Sequence, residues 1–136
     1  MRKIAFIILS ISILVSCTKF EEGPSISLLS VKNRIVGKWK LDKYLLDGAD
    51  STESYLNGYN EEWEFFKNKT LVYTKGQQNP IDGTWELQET NVVVKLQMMN
   101  ANFEYYEYDT LPLIRLTNRE MWARYENGVE KQYIAE

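Results

Sequence analysis

From Lys38 onward, apolar residues recur at every second position in eight separate runs, and this period of two constrains the fold more than any other feature of the chain. Such alternation puts one set of side chains on each face of a strand. Trp39 and Leu41 open the first run, which extends to about Asp47. Trp63 and Phe65 alternate with Glu62 and Glu64 in the second, and Leu71 and Tyr73 mark the third after a tight turn at Asn68. Ile81, Gly83, Trp85 and Leu87 form the fourth, and Val92, Val94, Leu96 and Met98 the fifth, with a turn over Glu89–Asn91 between them. A sixth lies within Tyr105–Leu116 and is expected to bend or break at Pro112, because proline cannot donate to a ladder. Met121, Ala123 and Tyr125 mark the seventh. Val129, Lys131 and Tyr133 mark the eighth, after the two-residue hairpin signal Asn127-Gly128.

Eight short strands joined mostly by hairpin-length turns predict an antiparallel meander. Left flat, it would expose two edges and an apolar face. Closing it removes the edges, so the expected fold is all-β, an eight-stranded antiparallel up-and-down barrel over residues 27–136. An open sandwich is the alternative. A short helix precedes it: Leu28, Val31 and Ile35 share one helical face within Ser27–Val36. Ser27 or Ser30 is placed to cap its start and Gly37 to take a left-handed position after its end.

The N-terminal segment has a different logic. Met1-Arg2-Lys3 leads into an apolar run from Ile4 to Val15, followed by Ser16 and Cys17. The run is too short for a hydrocarbon core that needs roughly 20 helical residues. It reads as a bacterial lipoprotein signal over residues 1–16, with an acyl chain such as palmitate on Cys17, the sole cysteine. Residues 17–26, interrupted by Gly23 and Pro24, read as a lipidated tether spanning on the order of 15–20 Å. Thr18 after the cysteine favours the outer membrane, on its periplasmic face or at the cell surface. Lys19-Phe20-Glu21-Glu22 reads equally as an acidic export tag or as solubilising charge.

Composition narrows the function. Without Arg2 and Lys3, 14 of the 16 basic residues face 19 acidic ones, which argues against a nucleic-acid partner. Histidine is absent and Cys17 is committed to lipid, so the usual general base, nucleophile and metal ligands are missing. No catalytic residue, cofactor or metal site is expected. Asp42, Asp47 and Asp50 lack the spacing of a calcium loop, and Glu62 and Glu64 read as solvated.

Gly37-Lys38-Trp39 on the first strand resembles the Gly-x-Trp signature that opens lipocalins. The short preceding helix, the eight-strand meander and the long segment after strand one agree with it. The chain resembles the small lipocalin-like lipoproteins of Gram-negative envelopes. This implies a barrel closed at one end by the helix and Trp39, with an arginine from a late strand, Arg124 or Arg115, across that tryptophan. It also implies that the long loop Gly48–Asn60 lids the mouth, with Tyr55, Leu56 and Tyr59 over the ligand. The expected protein is a monomeric, non-catalytic binding protein moored to the membrane through Cys17. Its small apolar or amphipathic ligand would touch Leu41, Tyr55, Tyr59, Trp63, Phe65, Tyr73, Trp85, Val94, Leu96 and Met121. The alternative is a filled barrel acting as a structural or interaction module, docking an envelope protein or glycan through exposed aromatics near Tyr105–Tyr108, within the aromatic and acidic segment Phe103–Asp109.

Overall fold

The computed structural model describes Phe20 and residues 30–98 and 105–136, with the backbone alone for residues 98 and 105–108. The signal segment and Cys17 lie outside the described residues, as do Ser27, Leu28 and Phe103. Helix α1 (Val31–Ile35) leads into β1 (Gly37–Leu46), followed by β2 (Ala49–Asp50) and α2 (Thr52–Leu56). The chain then meanders through β3 (Glu61–Phe65), β4 (Thr70–Lys75), β5 (Ile81–Gln88), β6 (Asn91–Met98), β7 (Tyr105–Leu116), β8 (Glu120–Arg124) and β9 (Val129–Ala135). Every neighbouring pair is antiparallel. β1 pairs with β3 on one side and with β9 on the other, so eight strands form a closed barrel and β2 is a spur on the end of β1.

Closure turns the period of two into an inside and an outside. Trp39, Leu41, Trp63, Phe65, Leu71, Trp85, Val94, Leu96, Met121 and Tyr133 are all buried. The indoles inside find acceptors despite burial. Trp39 Nε1 donates to Ile35 O at 2.7 Å, Trp85 Nε1 to Phe66 O at 3.0 Å and Trp63 Nε1 to Tyr133 Oη at 3.3 Å. The Trp39 bond ties the start of β1 to α1 and so shuts one end of the barrel.

Two bulges change the parity that the sequence suggests. Between Leu41 and Lys43 the β1–β9 register gains a residue, so Tyr44, and not Lys43, pairs with Lys131 on the inner face. Between Leu113 and Arg115 the β7–β8 register shifts, and Leu116 replaces Arg115 on the inner face. The expected break at Pro112 does not occur, and β7 runs through it. Leu113 N donates toward β6, to Thr90 O, so the Pro112 nitrogen points the other way, where pairing with β8 starts only at Leu113.

Other details depart from the sequence reading. Helix α1 starts at Val31, because Ser30 is extended and caps it with its Oγ, 3.3 Å from Asn33 N. Gly37, at φ 141°, is the first residue of β1 and not a left-handed cap. The β8–β9 turn is not a two-residue loop. Only Gly128 has positive φ, Gly128 N bonds Tyr125 O, and Tyr125 N bonds Val129 O, giving a three-residue turn with a glycine bulge. The Gly48–Asn60 segment is not a bare loop, since it carries β2 and α2. Neither expected arginine crosses Trp39. The Arg115 guanidinium lies over Trp122 at 4.9 Å, and Arg124 pairs with Glu130 at the opposite end of β8. At the closed end it is Arg34 of α1 that is fixed, donating Nη1 to Leu116 O with Phe20 5.7 Å from its guanidinium carbon. Phe20 is buried in the core, so at that position the tether is docked on the barrel and not free.

Two positions test this backbone. A Cβ on Gly83 would meet Lys95 O at 2.3 Å and Leu71 Cδ1 at 3.2 Å. Gly83→Ala should therefore cost about 1–3 kcal/mol in urea denaturation. Lys69 sits at φ 69° in the β3–β4 turn, where a side chain is disfavoured. Lys69→Gly should raise stability by up to about 1 kcal/mol.

Candidate functional site

The end of the barrel opposite α1 carries an acid at a position where the pattern demands an apolar group. Glu61 shares the inward parity of Trp63 and Phe65 on β3, and it is wholly buried. Its neighbours come from four other elements. Tyr55 of α2 donates its hydroxyl to Glu61 Oε2 at 2.5 Å. From β9, Tyr133 Oη donates to Oε1 at 2.8 Å and Lys131 Nζ at 2.9 Å. Lys75 of β4 lies 3.9 Å from Oε2. Tyr44 of β1 stacks on Tyr55 with ring centres 4.0 Å apart and planes 5° off parallel.

The Tyr55 hydroxyl is the hub. Besides donating to Glu61, it accepts from Lys75 Nζ and Lys131 Nζ, both at 2.9 Å. The same two ammonium groups lie 4.2 Å and 5.0 Å from the Tyr55 ring centre. Burial alone would raise the Glu61 carboxyl pKa, but the Lys131 charge and bonds from Tyr55, Lys131 and Tyr133 together bring it below its ordinary value. Burial first, and then the Glu61 carboxylate, push the phenols of Tyr55 and Tyr73 upward. Tyr133 shifts the same way for the same leading reasons. All three therefore stay protonated at neutral pH and remain donors around an anion.

Helix α2 sits over this cluster, with Tyr55 and Leu56 partly buried against the core. None of its residues is fully buried, and Ser51 makes no side-chain cap, although Asp50 Oδ1 accepts from Thr52 N at 3.0 Å and from Thr52 Oγ1 at 2.6 Å. Its start is held by Tyr44 N donating to Thr52 Oγ1 at 2.8 Å and Ser51 N to Tyr44 O at 2.9 Å. It leaves through Asn57 and Gly58, at φ 50° and 80°. Beside it opens a cleft of about 460 Å³, bounded by α2, Tyr59, Lys75 and the β4–β5 turn at Gly76–Gln78.

The ten residues predicted to hold a ligand divide between two levels. Leu41, Trp63, Phe65, Trp85, Val94, Leu96 and Met121 fill the lumen, and none leaves more than 5 % of its surface accessible to water. The aromatics pack on one another: Trp63–Tyr73 at 4.2 Å, Trp63–Phe65 at 5.9 Å and Phe65–Trp85 at 5.8 Å edge to face. Tyr55 and Tyr59 sit at the mouth and line the cleft, and the tenth, Tyr73, is partly buried and packs against the lumen residues. Sequence reasoning missed Tyr44, Glu61, Lys75, Lys131 and Tyr133 as one group. The signal was present in parity, because Glu61, Lys75 and Lys131 fall in step with Trp63, Tyr73 and Tyr133.

Among the described residues no group of three acidic, histidine or cysteine side chains is arranged to hold a metal. The mouth offers one buried acceptor, two ammonium donors and an aromatic face, which is equipment for recognising a polar group on a ring or chain.

Removing the anion should expose its role. Glu61→Gln leaves Lys131 without its charge partner and should cost about 3 kcal/mol at neutral pH. Because the folded carboxyl pKa is depressed, its contribution is present above the ordinary value of 4.5 and fades as pH falls through the folded value. The stability gap between wild type and variant should thus narrow in acid. A gap independent of pH in urea titrations would contradict the assignment.

Comparison with known proteins agrees with this architecture. The family model of the lipocalin-like domain matches residues 35–121. The chain is similar to the crystal structure of a lipocalin-like protein from Bacteroides uniformis, at 16% identity and a TM-score of 0.55, covering 76% of this chain and 99% of that one. It is also similar to a protein from Bacteroides eggerthii, at 18% identity and a TM-score of 0.54, covering 74% and 98%. A search of curated proteins finds no match. The chain belongs to the lipocalin-like domain family, generally a non-enzymatic binding fold.

Proposed function

We propose that this protein is a lipid-anchored, non-catalytic envelope binding protein that takes a small amphipathic ligand at the barrel mouth, under α2. The carrying observation is the contrast between the two levels of the barrel. Trp39, Trp63, Phe65, Trp85 and Tyr133 each leave 3 % or less of their surface accessible, whether to outside water or to an enclosed void. A lumen packed in this way has little room for a guest. The mouth combines a cleft, a lightly held helix and convergent polar groups, the usual elements of a small-molecule site.

The anchor reading rests on the residue pattern before Cys17 and gains an orientation from Phe20. Three residues of chain reach about 10 Å at most. Phe20 is buried beside Arg34 at the α1 end, so an acyl chain on Cys17 would moor the barrel by its closed end, with the mouth toward the aqueous phase. The second reading, a docking module, is favoured by the packed lumen alone.

Two measurements test the proposal. The protein recovered from membranes should carry an acyl mass on Cys17, and Cys17→Ala should move it to the soluble fraction. Titration with medium-chain alcohols and fatty acids should shift NMR signals of Tyr55, Tyr59 and Lys75 while leaving Trp39 and Trp85 unchanged. A larger response at Trp85 would place the ligand in the lumen and contradict the mouth. No response to any amphiphile would leave the docking module.

A further inference from the structure

The Tyr55 side chain occupies a receptor built almost wholly by other strands. The stacking face is Tyr44 on β1, the acceptor is Glu61 on β3, and the two ammonium groups are Lys75 on β4 and Lys131 on β9. The barrel holds these four groups in place, whereas the occupant rides on a helix with no buried residue. From this arrangement we infer that the Tyr55 slot is a subsite for a neutral hydroxylated aromatic ring on the ligand, with Tyr55 as its built-in occupant. The inference rests on the reading that ligands enter under α2, and it names their chemistry.

The valence of the slot selects the group. A hydroxyl has one proton to donate and two lone pairs to accept with. The slot offers one carboxylate oxygen at 2.5 Å and two ammonium groups at 2.9 Å. A carboxylate ligand would face the Glu61 anion without a proton between them. An ammonium ligand would meet two like charges. A bare ring would leave the buried Glu61 Oε2 without its close donor, with only Lys75 at 3.9 Å beside it, and an unpaired buried acceptor is costly. The parallel Tyr44 ring and the ammonium groups 4.2 Å and 5.0 Å from the Tyr55 ring centre favour an aromatic carrier over an aliphatic alcohol. The cleft beside Tyr55, about 460 Å³ in volume, offers space for the rest of such a ligand.

The test uses p-cresol, which reproduces the Tyr55 side chain, against toluene and p-toluate. Tyr55→Ala should bind p-cresol at least tenfold more tightly than either by calorimetry. The wild type should bind p-cresol at least tenfold more weakly than Tyr55→Ala, because the built-in ring competes. Tyr55→Phe, which keeps the packing and removes only the hydroxyl, should lie between them and serves if the alanine variant does not fold. Equal binding of p-cresol and toluene to Tyr55→Ala would overturn the inference, as would p-cresol affinities that do not differ between wild type and Tyr55→Phe. If amphiphiles bind the wild-type mouth while p-cresol and toluene are not distinguished, the ring inference fails and the mouth reading stands. If p-cresol selects Tyr55→Ala but no amphiphile binds the wild type, the slot chemistry stands and the mouth reading fails.

Discussion

The pairing of β1 with β9, from Trp39–Ala135 to Leu46–Val129, is the constraint on which the rest of the molecule depends. Without it the meander would be an open sheet with two edges and no interior. With it, every inward side chain faces others across a narrow barrel, and eight strands enclose just enough volume for those side chains to fill. Filling is what this chain does. Three of its four tryptophans point inward, and each has its N–H satisfied. A core satisfied in that way is rigid, which fixes the strand ends that build the mouth.

At the mouth the same closure creates an electrostatic problem and supplies its solution. An anion on the inner face of β3 is tolerated only because β9 brings a lysine and a tyrosine to it, β4 a second lysine, and α2 a second phenol. The Tyr55 hydroxyl completes the set. The binding reading follows from the imbalance in how these parts are held. Glu61, Lys75, Lys131 and Tyr133 are fixed by ladders, while Tyr55 is held through its own ring and hydroxyl and through the bonds that Ser51 and Thr52 make with Tyr44 and Asp50. Regions with so few buried contacts open at lower free energy than the sheets beneath them.

The strands were legible in the sequence because burial on one face forces alternation, and the β5 limits, Ile81–Gln88, match the run read from the residues. Where alternation slips, legibility ends. The bulges before Lys43 and Arg115 move Tyr44 and Leu116 inward, and nothing local announces them. Helix α2 was hidden because five residues with one apolar turn read as loop. Glu61 was hidden by company, since Glu61, Glu62 and Glu64 look like a solvated acidic run, yet the parity of Trp63 separates the first from the other two. Parity also puts Lys75 and Lys131 on the inner face, but that they meet Glu61 is set by the register of strands distant in the chain. Phe20 was read as part of a tether for the same reason, as its docking to Arg34 depends on a surface that exists only once the barrel is closed.

The central claim is that a rigid, filled barrel carries a lid that opens independently of it. Native-state hydrogen exchange tests this most directly. Tyr55 N and Asn57 N, bonded within α2 to Ser51 O and Glu53 O, should exchange through a local opening several kcal/mol below global unfolding. Their exchange should be insensitive to low denaturant, while the β1–β9 ladder amides exchange only with the whole fold. Exchange of the α2 amides at the same free energy as that ladder would mean that lid and barrel open as one, and would contradict the account.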